Sequence, residues 1–145
     1  QAQPVVLKLS KEFSFINLVS KDVLEVGAAT LDRKVANFAR DNNLGNLEFL
    51  SCIPGSIGGA IKMNSGCYNN DISKVLLSLK AIDINNPIEI EIKKEDIRFL
   101  YRGTNLPEDL IITSAKLKGI ISKKDVIEKK QSELIEKKKY LNQIK

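Results

Sequence analysis

Three short stretches hold the residue types that could bind or act on a ligand. In Ile53-Pro54-Gly55-Ser56-Ile57-Gly58-Gly59-Ala60, the proline ring fixes φ at a turn, and three glycines drop the Cβ atoms that keep a backbone from close approach. A short helix opening near Ser56 would aim its first N–H groups and dipole at that approach and favour an anion such as a phosphate. A glycine-rich turn opening a helix is as often a structural device, and neither GxGxxG nor a Walker pattern is present. The next stretch, Asn64-Ser65-Gly66-Cys67-Tyr68, offers amide and hydroxyl groups in a tight space, or is another turn with the Tyr68 ring packed. The last is Tyr101-Arg102, between apolar Phe99-Leu100 and polar Gly103-Thr104-Asn105. It brings a guanidinium to a strand or loop edge, as an anion clamp, a carboxylate partner or a solvated charge.

Other chemistries lack their residues. Histidine is absent, and Cys52 and Cys67 are the two cysteines, with no CxxC between them. No metal site is expected, zinc sites and histidine-based triads least of all. So few cysteines predict free thiols rather than a disulfide-stapled domain, which fits a reducing cytoplasm. Glu95-Asp96 and Glu108-Asp109 are adjacent pairs whose side chains point opposite ways in an extended stretch, so neither suggests an acid and a base on one substrate. The net charge of +5 is local: residues 1–115 carry 13 Lys and Arg against 14 Asp and Glu, and residues 116–145 carry 10 Lys against 4 acids. That basic tail interleaves Glu128, Glu133 and Glu136 and has Tyr140 as its one aromatic platform. A solvated helix face is the expectation, with no nucleic-acid partner. No run of about 18 apolar residues or signal-like start is present, so no membrane association is expected.

The elements that must position these groups follow from periodicity. Val5, Leu7 and Leu9 alternate as an opening strand, and residues 15–19 and 23–26 flank the polar Ser20-Lys21-Asp22 turn of a hairpin. Leu31, Val35, Phe38 and Ala39 share one helical face, with Thr30 as the expected N-cap and Asn42-Asn43 as the stop. Residues 44–68 hold five of the eight glycines and read as loop and short helix. Residues 75–84 form a strand, Asn85-Asn86-Pro87 a turn, and Ile88, Ile90 and Ile92 alternate with charged residues in a second strand. A final strand covers 111–117. A long helix spans about 123–142, and its narrow stripe of Val126, Ile127, Leu134, Ile135, Leu141 and Ile144 calls for a partner surface.

In order and spacing, LEFLSCIPGSIGGAIKMNSGCYNNDI, FLYRGTNL and DLIITSAKLK resemble the landmarks of the UDP-N-acetylenolpyruvoylglucosamine reductases. Their pattern runs GLEFxxGIPGxxGGAxxMNAGAYG, then YR and an apolar strand. The resemblance spans essentially the whole chain. It implies an α+β fold, the second subdomain of a vanillyl-alcohol-oxidase-type FAD-binding domain over residues 1–120. Residues 121–145 would be the opening helix of a C-terminal substrate domain. By the same resemblance Ile53, Pro54, Gly55, Ser56, Gly58, Gly59, Asn64, Gly66 and Ile111 bind the cofactor, Tyr68 and Tyr101 meet a UDP-sugar nucleotide, and Arg102 is catalytic.

The implied reaction uses NADPH and FAD to reduce UDP-N-acetylenolpyruvoylglucosamine to UDP-N-acetylmuramate in cytoplasmic peptidoglycan synthesis. Departures from the pattern are Cys52 for glycine and Cys67 for alanine. The family's first glycine-rich FAD loop and the serine and glutamate of its C-terminal domain are not in this sequence, so weak or no FAD binding and no turnover by this chain alone are expected. Surfaces left open in that way suggest a homo-oligomer. The alternatives are another flavin oxidase or dehydrogenase of the superfamily and a basic, non-enzymatic interaction module.

Overall fold

The computed structural model describes residues 11–143; the strand expected over residues 5–9 lies outside them. β1 (Ile16–Ser20) and β2 (Val23–Gly27) make the expected hairpin, closed where Ser20 Oγ donates to Asp22 Oδ1 at 3.2 Å. There follow α1 (Asp32–Asp41), β3 (Leu44–Gly45), a 3-10 turn over Glu48–Cys52, and α2 (Ile57–Lys62). The glycine-rich stretch is therefore largely loop and short helix, as its composition predicts. Two small hairpins, β4 (Gly66–Cys67) with β5 (Asn70–Asp71) and β8 (Phe99–Leu100) with β9 (Gly103–Thr104), flank the long pair β6 (Leu76–Asp83) and β7 (Asn86–Lys93). The chain closes with β10 (Leu110–Lys118), β11 (Ile120–Ile121) and α3 (Lys124–Gln143).

The main sheet is antiparallel throughout, in the order β1-β2-β10-β6-β7. Alternation along its three inner strands selects one apolar face. Leu24 and Val26 of β2 stand opposite Leu117 and Ala115 of β10, which in turn stand opposite Leu76 and Leu79 of β6. All six are at most 2% exposed. Glu25, Lys116 and Lys80 lie on the other face, so the sheet is covered on one side. α2 packs over β10 and β2 with Ile57 and Ile61 turned inward, and α1 adds Val35, Ala36 and Ala39. Each fully buried Leu, Ile or Val contributes about 1.5–3 kcal/mol of transfer energy.

Three local expectations need correction. Thr30 does not cap α1: its hydroxyl donates to Phe15 O at 3.1 Å and accepts from Phe15 N at 3.0 Å. Leu31 is the capping position and makes no side-chain cap bond. The tie to Phe15 wins because Thr30 is 2% exposed, where an unpaired hydroxyl would be costly. The β6–β7 turn falls one residue early, on Ile84-Asn85, because Asp83 Oδ1 accepts from Asn85 N at 2.9 Å and closes an Asx turn. Pro87 then sits inside edge strand β7, where no N–H is demanded of it. Finally, the partner that α3 needs is supplied here by the Glu48–Cys52 turn and α1. Ile127 is 2% exposed, whereas Val126 of the same expected stripe is 55% exposed.

Candidate functional site

α2 begins where the sequence places it, and its first N–H groups are already engaged. Ile57 N donates to Thr30 O at 3.0 Å and Gly58 N to Ala28 O at 2.9 Å. The anion cradle expected of these two amides is therefore not available; they tie the turn to the β2–α1 connection. Gly58 is small for the same reason, since a Cβ there would stand 3.2 Å from Ala28 Cβ. Gly55 differs. Its φ of 103° lies in the region that side chains avoid, and a Cβ would meet nothing within 4 Å. Ile53, Pro54 and Gly55 line an open cleft of about 330 Å³, together with Arg33 from α1 and Lys138 from α3.

A second cleft of about 400 Å³ collects Asn64, Gly66, Tyr68, Tyr101 and Arg102. Arg102 occupies the β8–β9 turn, and its Nη1 reaches Gly66 O at 3.5 Å, the outer limit of a hydrogen bond. Two further bonds hold this hairpin in place: Asn64 Nδ2 donates to Leu100 O at 3.1 Å, and Thr104 Oγ1 to Lys62 O at 3.4 Å. Gly66 is needed where β4 and β5 touch, because a Cβ there would lie 2.6 Å from Asn70 O. The guanidinium also lies 5.1 Å from the Tyr101 ring centre, and Tyr101 is 89% exposed. Asn64, Tyr68, Asn69 and Arg102 all have positive φ, between 44° and 67°. Asparagine takes this region readily, but at Tyr68 and Arg102 it costs about 1–3 kcal/mol each, a strain that concentrates at functional sites.

Ser56, Gly58 and Gly59 belong to the α2 entry and line neither of these two clefts. Ile111 sits half-buried on β10 opposite Ile82, and the structure brings it to neither cleft. Several residues at the clefts have no counterpart in the expected set. Lys138 Nζ donates to Cys52 O, and Lys137 Nζ stands 4.9 Å from the Tyr68 ring centre. Both were expected to be part of a solvated helix face. Their signal was the half-polar stripe of α3, which also turns Gln131 inward to bond Ser51 Oγ at 2.7 Å and Asn37 Oδ1 at 2.8 Å. Loss of solvation, followed by the neighbouring Cys67 and Cys52, raises the Tyr68 hydroxyl above its ordinary pKa.

Comparison with known proteins bears on this arrangement. Residues 1–87 match the family described as FAD binding domain. The chain is 46% identical over 134 residues to UDP-N-acetylenolpyruvoylglucosamine reductase of Pelagibacter ubique, covering 92% of this chain and 44% of that protein. It is 40% identical over 115 residues to the protein of that name from Jannaschia, covering 79% of this chain and 36% of the relative. The crystal structure of UDP-N-acetylenolpyruvylglucosamine reductase from Thermus caldophilus superposes with a TM-score of 0.78 at 29% identity, over 88% of this chain and 46% of that one. The chain thus spans less than half the length of these relatives.

Proposed function

Since the chain belongs to the FAD binding domain family, we propose that it forms one wall of the flavin and substrate site of a UDP-N-acetylenolpyruvoylglucosamine reductase. In this reading NADPH and FAD drive reduction of the enolpyruvyl group to give UDP-N-acetylmuramate. Residues 1–120 are the FAD-binding subdomain, and residues 121–145 open the substrate domain. The observation that carries the proposal is the seating of Arg102 over Gly66, which puts a guanidinium beside the glycine-rich wall in a chain so similar to those reductases.

The residues present suit the cofactor. Gly55 leaves its outward side clear, the nearest atom to a Cβ on Gly59 would be Ser56 Oγ at 4.0 Å, and Arg33 and Lys138 put positive charge at the rim. Ile53, Pro54, Gly55, Ser56, Gly58 and Gly59 would hold the dinucleotide, and Asn64 and Gly66 would extend that wall. FAD, when bound, supplies the hydride chemistry. What this chain adds is position and field. Tyr68 and Tyr101 border the space for the UDP-sugar nucleotide. Arg102 would stabilise the negative charge that grows on the substrate carboxylate as the double bond is reduced. The setting is cytoplasmic cell-wall synthesis; among the described residues no helix is long and apolar enough to cross a membrane.

Arg102→Ala in the protein that carries this segment tests the reading. Reduction of the enolpyruvyl nucleotide is expected to fall about 10²-fold or more, while the bound flavin spectrum persists. Unchanged turnover would remove Arg102 from the mechanism, and absence of any reaction with this nucleotide in the unmutated protein would remove the substrate.

A further inference from the structure

Asn64 stands where α2 ends, 9% exposed and with a φ of 44°. The helix closes on it: Asn64 N donates to Ile61 O at 3.1 Å and Ser65 N to Ala60 O at 2.8 Å. This left-handed conformation suits asparagine better than most residues with a side chain. It leaves the side-chain amide between two hairpins that lie far apart along the chain. On one side, Nδ2 donates to Leu100 O at 3.1 Å, in the β8–β9 hairpin that carries Arg102 at its turn. On the other, Oδ1 accepts from Ser73 N at 3.2 Å, just past the β4–β5 hairpin that carries Tyr68 at its turn. Ser65 O strengthens that second side by accepting from Ile72 N at 3.1 Å. Each polar atom of the amide therefore has a protein partner, one on the arginine side and one on the tyrosine side.

We propose that Asn64 is a positioning residue that sets the spacing between Arg102 and Tyr68, and so aims the guanidinium at the substrate carboxylate; this rests on the reductase reading. Within the Arg102 hairpin, Arg98 N donates to Asn105 Oδ1 at 2.9 Å and Asn105 N to Arg98 O at 3.0 Å. These bonds close the base of the hairpin and leave its direction open. Among the described residues, three hydrogen bonds join residues 99–104 to the rest of the protein. They are the Asn64 bond, Thr104 Oγ1 to Lys62 O at 3.4 Å, and the contact of Arg102 Nη1 with Gly66 O at 3.5 Å. Asn64 makes the shortest, and it is the buried member of the three. Its loss would free the turn that holds the guanidinium.

The chemistry of the amide makes the role separable from bulk and from backbone conformation. Asn64→Asp keeps the size, tolerates the same φ and still accepts from Ser73 N. It sets a carboxylate oxygen against Leu100 O with no proton between them. The substitution thus releases the Arg102 hairpin and leaves the Tyr68 side tied.

Asn64→Asp in the protein that carries this segment tests the proposal. Amide hydrogen exchange should rise over residues 99–104 while the main sheet keeps its protection. Reduction of the enolpyruvyl nucleotide should slow about tenfold or more, as misplacement of a reacting partner does, whereas reduction of bound flavin by NADPH keeps its rate. Added to Arg102→Ala, the substitution should bring no further loss, because it acts through the arginine. Losses that multiply, equal slowing of both half-reactions, or unchanged exchange over residues 99–104 would overturn the proposal. Where the variant fails to fold, the side-chain amide protons of Asn64 in the unmutated protein decide: slow exchange is expected, and exchange as fast as that of an exposed asparagine overturns it. An unmutated protein that does not reduce the nucleotide removes the reductase reading, and exchange over residues 99–104 then decides by itself whether Asn64 holds Arg102 in place.

Discussion

Both carboxylate oxygens of Asp32 are buried without a protein hydrogen-bond partner among the described residues. Burial raises this carboxyl from 3.8 to about 8. The folded protein therefore keeps the Asp32 proton over a range where the unfolded chain has lost it. Below pH 3.8 both states are protonated and the residue costs nothing on this account. As pH climbs from there toward 8, stability falls, and above that both states are ionised and the penalty is complete. Asp32→Asn should raise stability by an amount that grows across this window to the order of a few kcal/mol, read by urea denaturation at pH 5 and pH 9. Equal gains at both pH values would mean that burial does not perturb this carboxyl. A second prediction concerns Thr30, whose two bonds to Phe15 tie β1 to the entry of α1. Thr30→Val keeps the shape and leaves the Phe15 backbone groups without that partner, at a cost of about 1–3 kcal/mol, measurable as a shift in the urea midpoint.

At the scale of elements, α3 rests on a polar contact as much as an apolar one. Gln131 is 6% exposed, accepts from Arg40 Nη1 at 3.2 Å and donates to Asn37 and Ser51. Gln131→Ala should cost about 1–3 kcal/mol and raise amide exchange along the helix while the main sheet keeps its protection. Equal loosening of helix and sheet would show that α3 does not unfold separately. Such a contact also marks the limit of what pattern reading gives. The β1–β2 hairpin, β6, β7, β10 and both long helices follow from periods of two and about three and a half, because their apolar residues repeat on one face. Thr30 and Gln131 were not legible, since a buried polar group is identified by partners far along the chain. The two clefts were half legible. The low-bulk stretch and Arg102 stand out by residue type, whereas Arg33, Lys137 and Lys138 are surface-like residues that acquire meaning when α3 folds back.

For the molecule as a whole, the excess of lysine does not make a uniform cationic face. Lys124 pairs with Asp41 at 3.4 Å and with Glu128 at 4.0 Å, Lys139 pairs with Glu136 at 3.9 Å, and Lys138 turns toward Cys52. A duplex oligonucleotide titrated at low salt should therefore give no binding curve with the steep salt dependence of phosphate neutralisation. Tight, salt-sensitive binding lost on deleting residues 123–145 would favour an interaction module instead. Strand order has a further consequence, for biosynthesis. β10 lies between β2 and β6, so the sheet's middle stays vacant until a segment about ninety residues downstream of the first hairpin arrives. During translation the early hairpin waits with its inner edge unmatched until one late strand inserts between two that precede it.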